Sequence, residues 1–142
     1  MELIEAKMDK GDTQDMLVLT SGYSMWPFIK PGQPLLVRQV PFETLRTGDL
    51  IVFRRGEMFC HRLIRKEKSG EGWVLLVRGD NQLSSERIPG TWYRGKVMMT
   101  MRGKSAAALT GMGARISGIL IALTMPFFVR LKQTLKRLLL RR

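Results

Sequence analysis

Apolar residues in this chain come in short bursts separated by turn-forming ones. Met16–Thr20, Pro34–Val40, Leu50–Phe53, Met58–Lys66 and Trp73–Val77 each read as strand, and Thr91–Met101 as one or two more around Gly95. Turn chemistry lies between them, at Lys30-Pro31-Gly32-Gln33-Pro34, Thr47-Gly48-Asp49, Arg54-Arg55-Gly56-Glu57 and Ser69-Gly70-Glu71-Gly72, with Phe42–Leu45 as a connector. Strands this short, joined this tightly, predict a mainly β body built from antiparallel pairs. The pattern then changes. Ile116–Val129 is apolar apart from Ser117, Gly118 and Thr124. Beyond it Arg130, Lys132, Lys136, Arg137, Arg141 and Arg142 are interleaved with Leu131, Leu135 and Leu138–Leu140, a basic helix with a leucine side. The apolar run holds 14 residues, short of the roughly 20 that cross hydrocarbon. Extending it back to Ser105 supplies the length, with Arg115 to accommodate and Pro126 to kink it. The predicted organisation is a polar segment over 1–15, with at most a helical turn at Leu3-Ile4, a β domain over 16–103 and an apolar, basic helical tail over 104–142.

Charge sharpens this division. All 12 acids and 15 of the 24 Lys and Arg lie at or before residue 101, a balance of +3; the other nine cations follow with no acid among them. A basic body would point to nucleic acid. A basic tail fused to an apolar run points instead to a membrane surface, or else to a helix packed on the body. One cysteine, Cys60, excludes an intrachain disulfide, and with one histidine, His61, a cysteine- or histidine-rich metal cluster is excluded too. Residues 1–15 are polar and carry no secretory signal pattern.

Chemistry concentrates at Ser21-Gly22-Tyr23-Ser24-Met25-Trp26-Pro27, directly after the first strand. A serine where a strand becomes a loop is well placed as a nucleophile, and Gly22 permits a turn that aims backbone amides at a developing oxyanion. Such a serine needs a base. His61 stands in the Met58–Lys66 strand, sharing a face with Phe59 and Leu63 while Cys60, Arg62 and Ile64 point the other way. Apolar neighbours favour the neutral, proton-accepting imidazole. Asp80, in Arg78-Gly79-Asp80-Asn81, suits either a turn aspartate bonding its own backbone or a carboxylate accepting the second imidazole N–H. Trp26, Pro27, Phe28 and Ile29 suit either core or an exposed patch.

Taken in order, Ser21–Pro27, Gly48-Asp49-Leu50-Ile51-Val52-Phe53, Cys60-His61-Arg62-Leu63-Ile64, Arg78-Gly79-Asp80-Asn81 and Gly95-Lys96-Val97 resemble signal peptidase I and the LexA-type self-cleaving repressors related to it. The resemblance covers roughly residues 16–100. It implies a signal peptidase/LexA-like β fold and serine endopeptidase activity without metal or cofactor. It also implies Ser24 as nucleophile, His61 as general base in place of the commoner lysine, and Asp80 as the acid orienting His61. A histidine base is similar to the archaeal and endoplasmic-reticulum type. Two residues between the serines resemble the LexA-like branch instead, and Ser21 is the implied second oxyanion donor. Glu86 matches a second acid expected shortly after Gly-Asp-Asn, one methylene longer than the usual Asp. Lys66, Lys68 and Lys96 are the lysine alternatives for the base, and none occupies the matching strand position. The amino-terminal anchor typical of signal peptidases has no counterpart in residues 1–15.

The expected function is therefore cleavage of a precursor or leader peptide by a membrane-associated peptidase, with a peptide or precursor protein as partner and no nucleic acid. The tail's basic flank favours a domain outside the cytoplasm, and a peptidase resting on the inner surface is the alternative. Two other classes stand beside this reading: a non-catalytic module binding membrane or a partner on the same fold, and a LexA-like self-cleaving regulator. The regulator is disfavoured because residues 1–15 cannot hold a helix-turn-helix.

Overall fold

Leu50-Ile51-Val52-Phe53 is apolar at every position, which is what a strand buried on both faces requires. In the computed structural model, which describes residues 5–8, 15–102, 105–109 and 111–140, these residues do lie at the centre. They belong to the strand Leu50–Arg55, and none of the four is more than 6 % exposed. The strands in chain order are β1 (Glu5–Met8), β2 (Asp15–Leu19), β3 (Pro34–Arg38), β4 (Leu50–Arg55) and β5 (Glu57–Ser69). They continue with β6 (Gly72–Arg78), β7 (Glu86–Pro89), β8 (Tyr93–Arg102) and β9 (Ser105–Ala108), and one helix follows, α1 (Met112–Leu139).

All the pairings are antiparallel, in the order β1-β2-β3-β8-β4-β5-β6-β7, with β9 added to β8. Alternation along β4 splits its side chains between two cores. Leu50 and Val52 join Val18, Met25, Ile29, Leu35, Val37 and Val97, while Ile51 and Phe53 join Leu45, Leu63, Leu75, Val77, Ile88 and Tyr93. Burying side chains of this size stabilises the fold by roughly 1.5–3 kcal/mol each before entropy is counted. The β4–β5 hairpin turns at Gly56, whose φ of 74° is the left-handed conformation such a turn needs.

The mainly β body with a carboxy-terminal helix is as expected, but its limits are wider than 16–103. Glu5–Met8, read as part of a polar segment, pairs with Asp15–Val18 as an edge strand. Ser105–Ala108, assigned to the helical tail, pairs instead with Met99–Arg102. Glu5-Ala6-Lys7-Met8 is half charged and Ser105–Ala108 consists of small residues, so neither four-residue strand carries a hydrophobic signature. The helical turn expected at Leu3-Ile4 lies outside the described residues.

The helix is docked along the body rather than projecting from it. Its buried positions are Gly118, Ala122 and Val129. Gly118 lies backbone to backbone against Gly48, so close that a Cβ on either residue would come within 2.7 Å of the other's main chain. Arg78 donates to the carbonyl of Ala122, and Lys132 Nζ sits 5.2 Å from the centre of the Trp26 ring.

Candidate active site

The Ser24 loop is built by anchoring both ends and both flanks. Thr20 Oγ1 donates to the carbonyl of Lys30, and Gly32 N–H donates to the carbonyl of Thr20, closing the loop base. Gly22 turns the chain at φ 103°. Met25 and Ile29 are sunk in the first core, whereas Trp26 between them is 41 % exposed. The stretch after the candidate nucleophile thus divides between core and surface.

The second support comes from the turn after β6. Asn81 N–H donates to the Ser24 carbonyl at 2.8 Å, and Asn81 Nδ2 donates to the Tyr23 carbonyl at 3.3 Å. Gly79 makes this possible, because a Cβ there would sit 2.8 Å from the Ser24 carbonyl oxygen. Gly79 and Asn81 therefore hold the backbone of the candidate nucleophile. Sequence reading placed them in a motif without giving them this task; a Gly-Asp-Asn run shows that a turn exists, not which loop it holds.

Ser24 and His61 face one cleft of about 430 Å³, lined also by Gly22, Tyr23, Arg55, Phe59, Gln82, Ser84 and Glu86. His61 comes from β5, opposite Ile51 of β4, with the Phe53 ring 5.5 Å and the Phe59 ring 6.3 Å away. The residue is 4 % exposed. Burial is the dominant influence and lowers the imidazole pKa below 6.5; Glu86 opposes it, and Arg55 adds to it. The net direction keeps His61 neutral at pH 7, as a general base must be.

The acid partner of His61 is Glu86. His61 Nδ1 lies 3.1 Å from Glu86 Oε1, a contact of hydrogen-bond length approached off the N–H axis, so that Nδ1 lacks a well-aligned acceptor. A carboxylate only accepts, so this neighbour favours the tautomer with its proton on Nδ1 and a free lone pair on Nε2. Arg55 Nη1 holds the other Glu86 oxygen at 2.7 Å, and its guanidinium stacks 5.1 Å from the Phe59 ring centre.

Asp80 does not take the place expected for it beside His61. Its carboxylate receives Arg62 Nε at 2.7 Å and Arg62 Nη2 at 2.6 Å, in a buried two-pronged pair. Arg62 Nη1 donates in addition to the Gly48 carbonyl. The reason is alternation: Arg62 follows His61 on β5 and points to the opposite face, where a buried guanidinium demands a carboxylate. Asp80 meets that demand, and Glu86 at the start of β7 is left facing the imidazole.

Ser21 and Ser24 also line a narrow, mainly apolar hollow with Val18, Met25, Ile29, Met58 and Cys60. Ser21 Oγ is buried and has no hydrogen-bond partner among the described residues. Cys60 is no rival nucleophile, since burial pushes its thiol up to about 12. The lysines weighed as bases are engaged elsewhere. Lys66 Nζ donates to the carbonyls of Phe42 and Glu43, Lys68 lies over the Trp73 ring, and Lys96 pairs with Asp49 at 2.9 Å.

A model of the family described as peptidase S24-like matches residues 2–98. The chain belongs to that family. Comparison with curated proteins and with solved structures returned no match. The S24-like match takes in Ser21, Ser24, His61, Asp80 and Glu86, places the β body in the signal peptidase/LexA-like superfamily, and stops short of α1.

Proposed function

We propose that this S24-like chain is a serine endopeptidase that cuts a precursor or leader peptide, with Ser24 as nucleophile and His61 as general base. The observation that carries the reading is the meeting of Ser24, a buried neutral His61 and Glu86 in one cleft. In the reaction, Ser24 Oγ attacks the scissile carbonyl while His61 Nε2 takes its proton. The imidazolium, facing Glu86, then gives that proton to the leaving amine, and water activated by His61 releases the acyl group. The Ser24 amide and the Ser21 hydroxyl stabilise the oxyanion, a role typically worth 10²–10³ in rate per donor. Glu86 replaces Asp80 as the orienting acid, and Asp80 acts structurally through Arg62.

We place this activity at a membrane, reached through α1. Among the described residues α1 is the one helix long and apolar enough to cross a bilayer, and its sequence carries five cations and no acid. The family match also accommodates a second reading, self-cleavage as in LexA-type proteins. The deciding experiment labels the protein with a serine-reactive acylating probe. Labelling of wild type that is lost in both Ser24→Ala and His61→Ala is expected; equal labelling of all three would remove the peptidase reading. Mass spectrometry of the purified protein over time separates the two peptidase readings, since self-cleavage yields two fragments at a rate independent of concentration.

A further inference from the structure

We infer that α1 lies in the plane of an anionic bilayer surface rather than crossing it. The inference deepens the membrane reading above and does not depend on peptidase chemistry. Helical positions advance by about 100° per residue, which puts Ile116, Leu120, Leu123, Phe127, Leu131 and Leu138 on one stripe opposite Gly118, Ala122 and Val129. Every member of that stripe is exposed, with Leu123 at 71 % and Phe127 at 68 %. None of the cations on α1 (Arg115, Arg130, Lys132, Lys136 and Arg137) falls within it.

The opposite side is occupied. Gly118 against Gly48, Arg78 on the Ala122 carbonyl, buried Val129 and Lys132 over Trp26 hold the helix along roughly 20 Å of its length. A helix threading hydrocarbon cannot keep those contacts, because the charged β body beside it would have to enter the bilayer too. A helix lying flat keeps them all. Its apolar stripe then enters the acyl boundary, while the cations on its flanks meet headgroup level and are drawn to an anionic leaflet. An acid-free sequence after Glu86 selects an anionic surface over a neutral one.

The test uses the full chain carrying Ser24→Ala and Cys60→Ser, so that its outcome is separate from catalysis. Single cysteines introduced as Ile116→Cys, Leu123→Cys, Phe127→Cys and Leu131→Cys are spin-labelled and their depth measured in vesicles of phosphatidylcholine with phosphatidylglycerol. All four labels at one shallow depth, roughly 5–10 Å below the headgroups, with a Lys136→Cys label in water, is the expected result. A depth that peaks mid-helix and falls towards both ends establishes a spanning helix and overturns the inference. So does the absence of any buried label. Omitting phosphatidylglycerol is expected to weaken vesicle binding at least tenfold, as is Leu123→Glu with Phe127→Glu at unchanged circular dichroism; equal binding in either comparison counts against the inference.

Discussion

Asp80 and Glu86 are carboxylates six residues apart in the sequence, yet they face different tasks, and their variants separate cleanly. Glu86→Gln leaves a carbonyl for Arg55 to hold and turns an amide NH2 donor towards His61 Nδ1, which favours the wrong imidazole tautomer, so a fall in kcat of roughly 10²–10⁴ is expected with melting temperature nearly unchanged. Asp80→Asn strands the Arg62 guanidinium in the interior, a change that typically costs about 3–5 kcal/mol, so thermal unfolding reports it first. Ser21→Ala gives a third signature. It removes a buried hydroxyl that has no partner among the described residues, so stability is expected to hold or rise while kcat falls about 10²–10³-fold. The pH profile carries a fourth. Folding lowers the His61 pKa below 6.5, so the unfolded chain binds more protons in the window just below that value. Stability is therefore lost as pH drops through 6.5 towards the folded pKa. The acid limb of kcat/KM is expected below 6.5, and Glu86→Gln is expected to move it lower still, because Glu86 raises the pKa. The sequence made Ser24, His61 and the candidate acids visible by residue type and order. It could not assign the acids: alternation puts Arg62 on the face opposite His61, but which carboxylate reaches each face depends on the β6–β7 connection, which brings Asp80 to Arg62 and Glu86 over the cleft.

Strands with strong apolar runs were legible at once; β2 through β6 and β8 follow from alternation and turn residues. The strands β1, β7 and β9 were not, because each has four residues and gains its stability from pairing rather than from a buried stripe of its own. The helix was legible in its apolar and basic composition, but its docking was not, since a Gly-to-Gly contact leaves no hydrophobic trace. That contact is testable. Gly48 has a φ of 93° and no room for a Cβ, whereas Gly56 has a φ of 74° and open space around it. Gly56→Ala is expected to cost only the left-handed backbone penalty, about 1–2 kcal/mol. Gly48→Ala adds a collision with the helix backbone, so limited proteolysis should release α1 from an intact β body in that variant and leave it docked in Gly56→Ala.

The cleft is assembled from parts distant in the chain: Ser24 after β2, His61 on β5, the Gly79–Asn81 turn after β6 and Glu86 on β7. What unites them is β4, paired with β5 on one side and β8 on the other and packed against both cores. Its position also sets a kinetic hierarchy. The amides of Ile51 and Val52 belong to pairings that cannot open without parting the sheet and both cores at once. Their hydrogen exchange should proceed only through global unfolding, and so report the full free energy of the domain. The Ser24 loop, held by hydrogen bonds at its base and at the Ser24 carbonyl and by Met25 and Ile29 in one core only, should exchange through smaller and faster openings. The protein thus keeps its least yielding backbone one strand away from His61, the candidate base, and a more yielding one at Ser24, the candidate nucleophile.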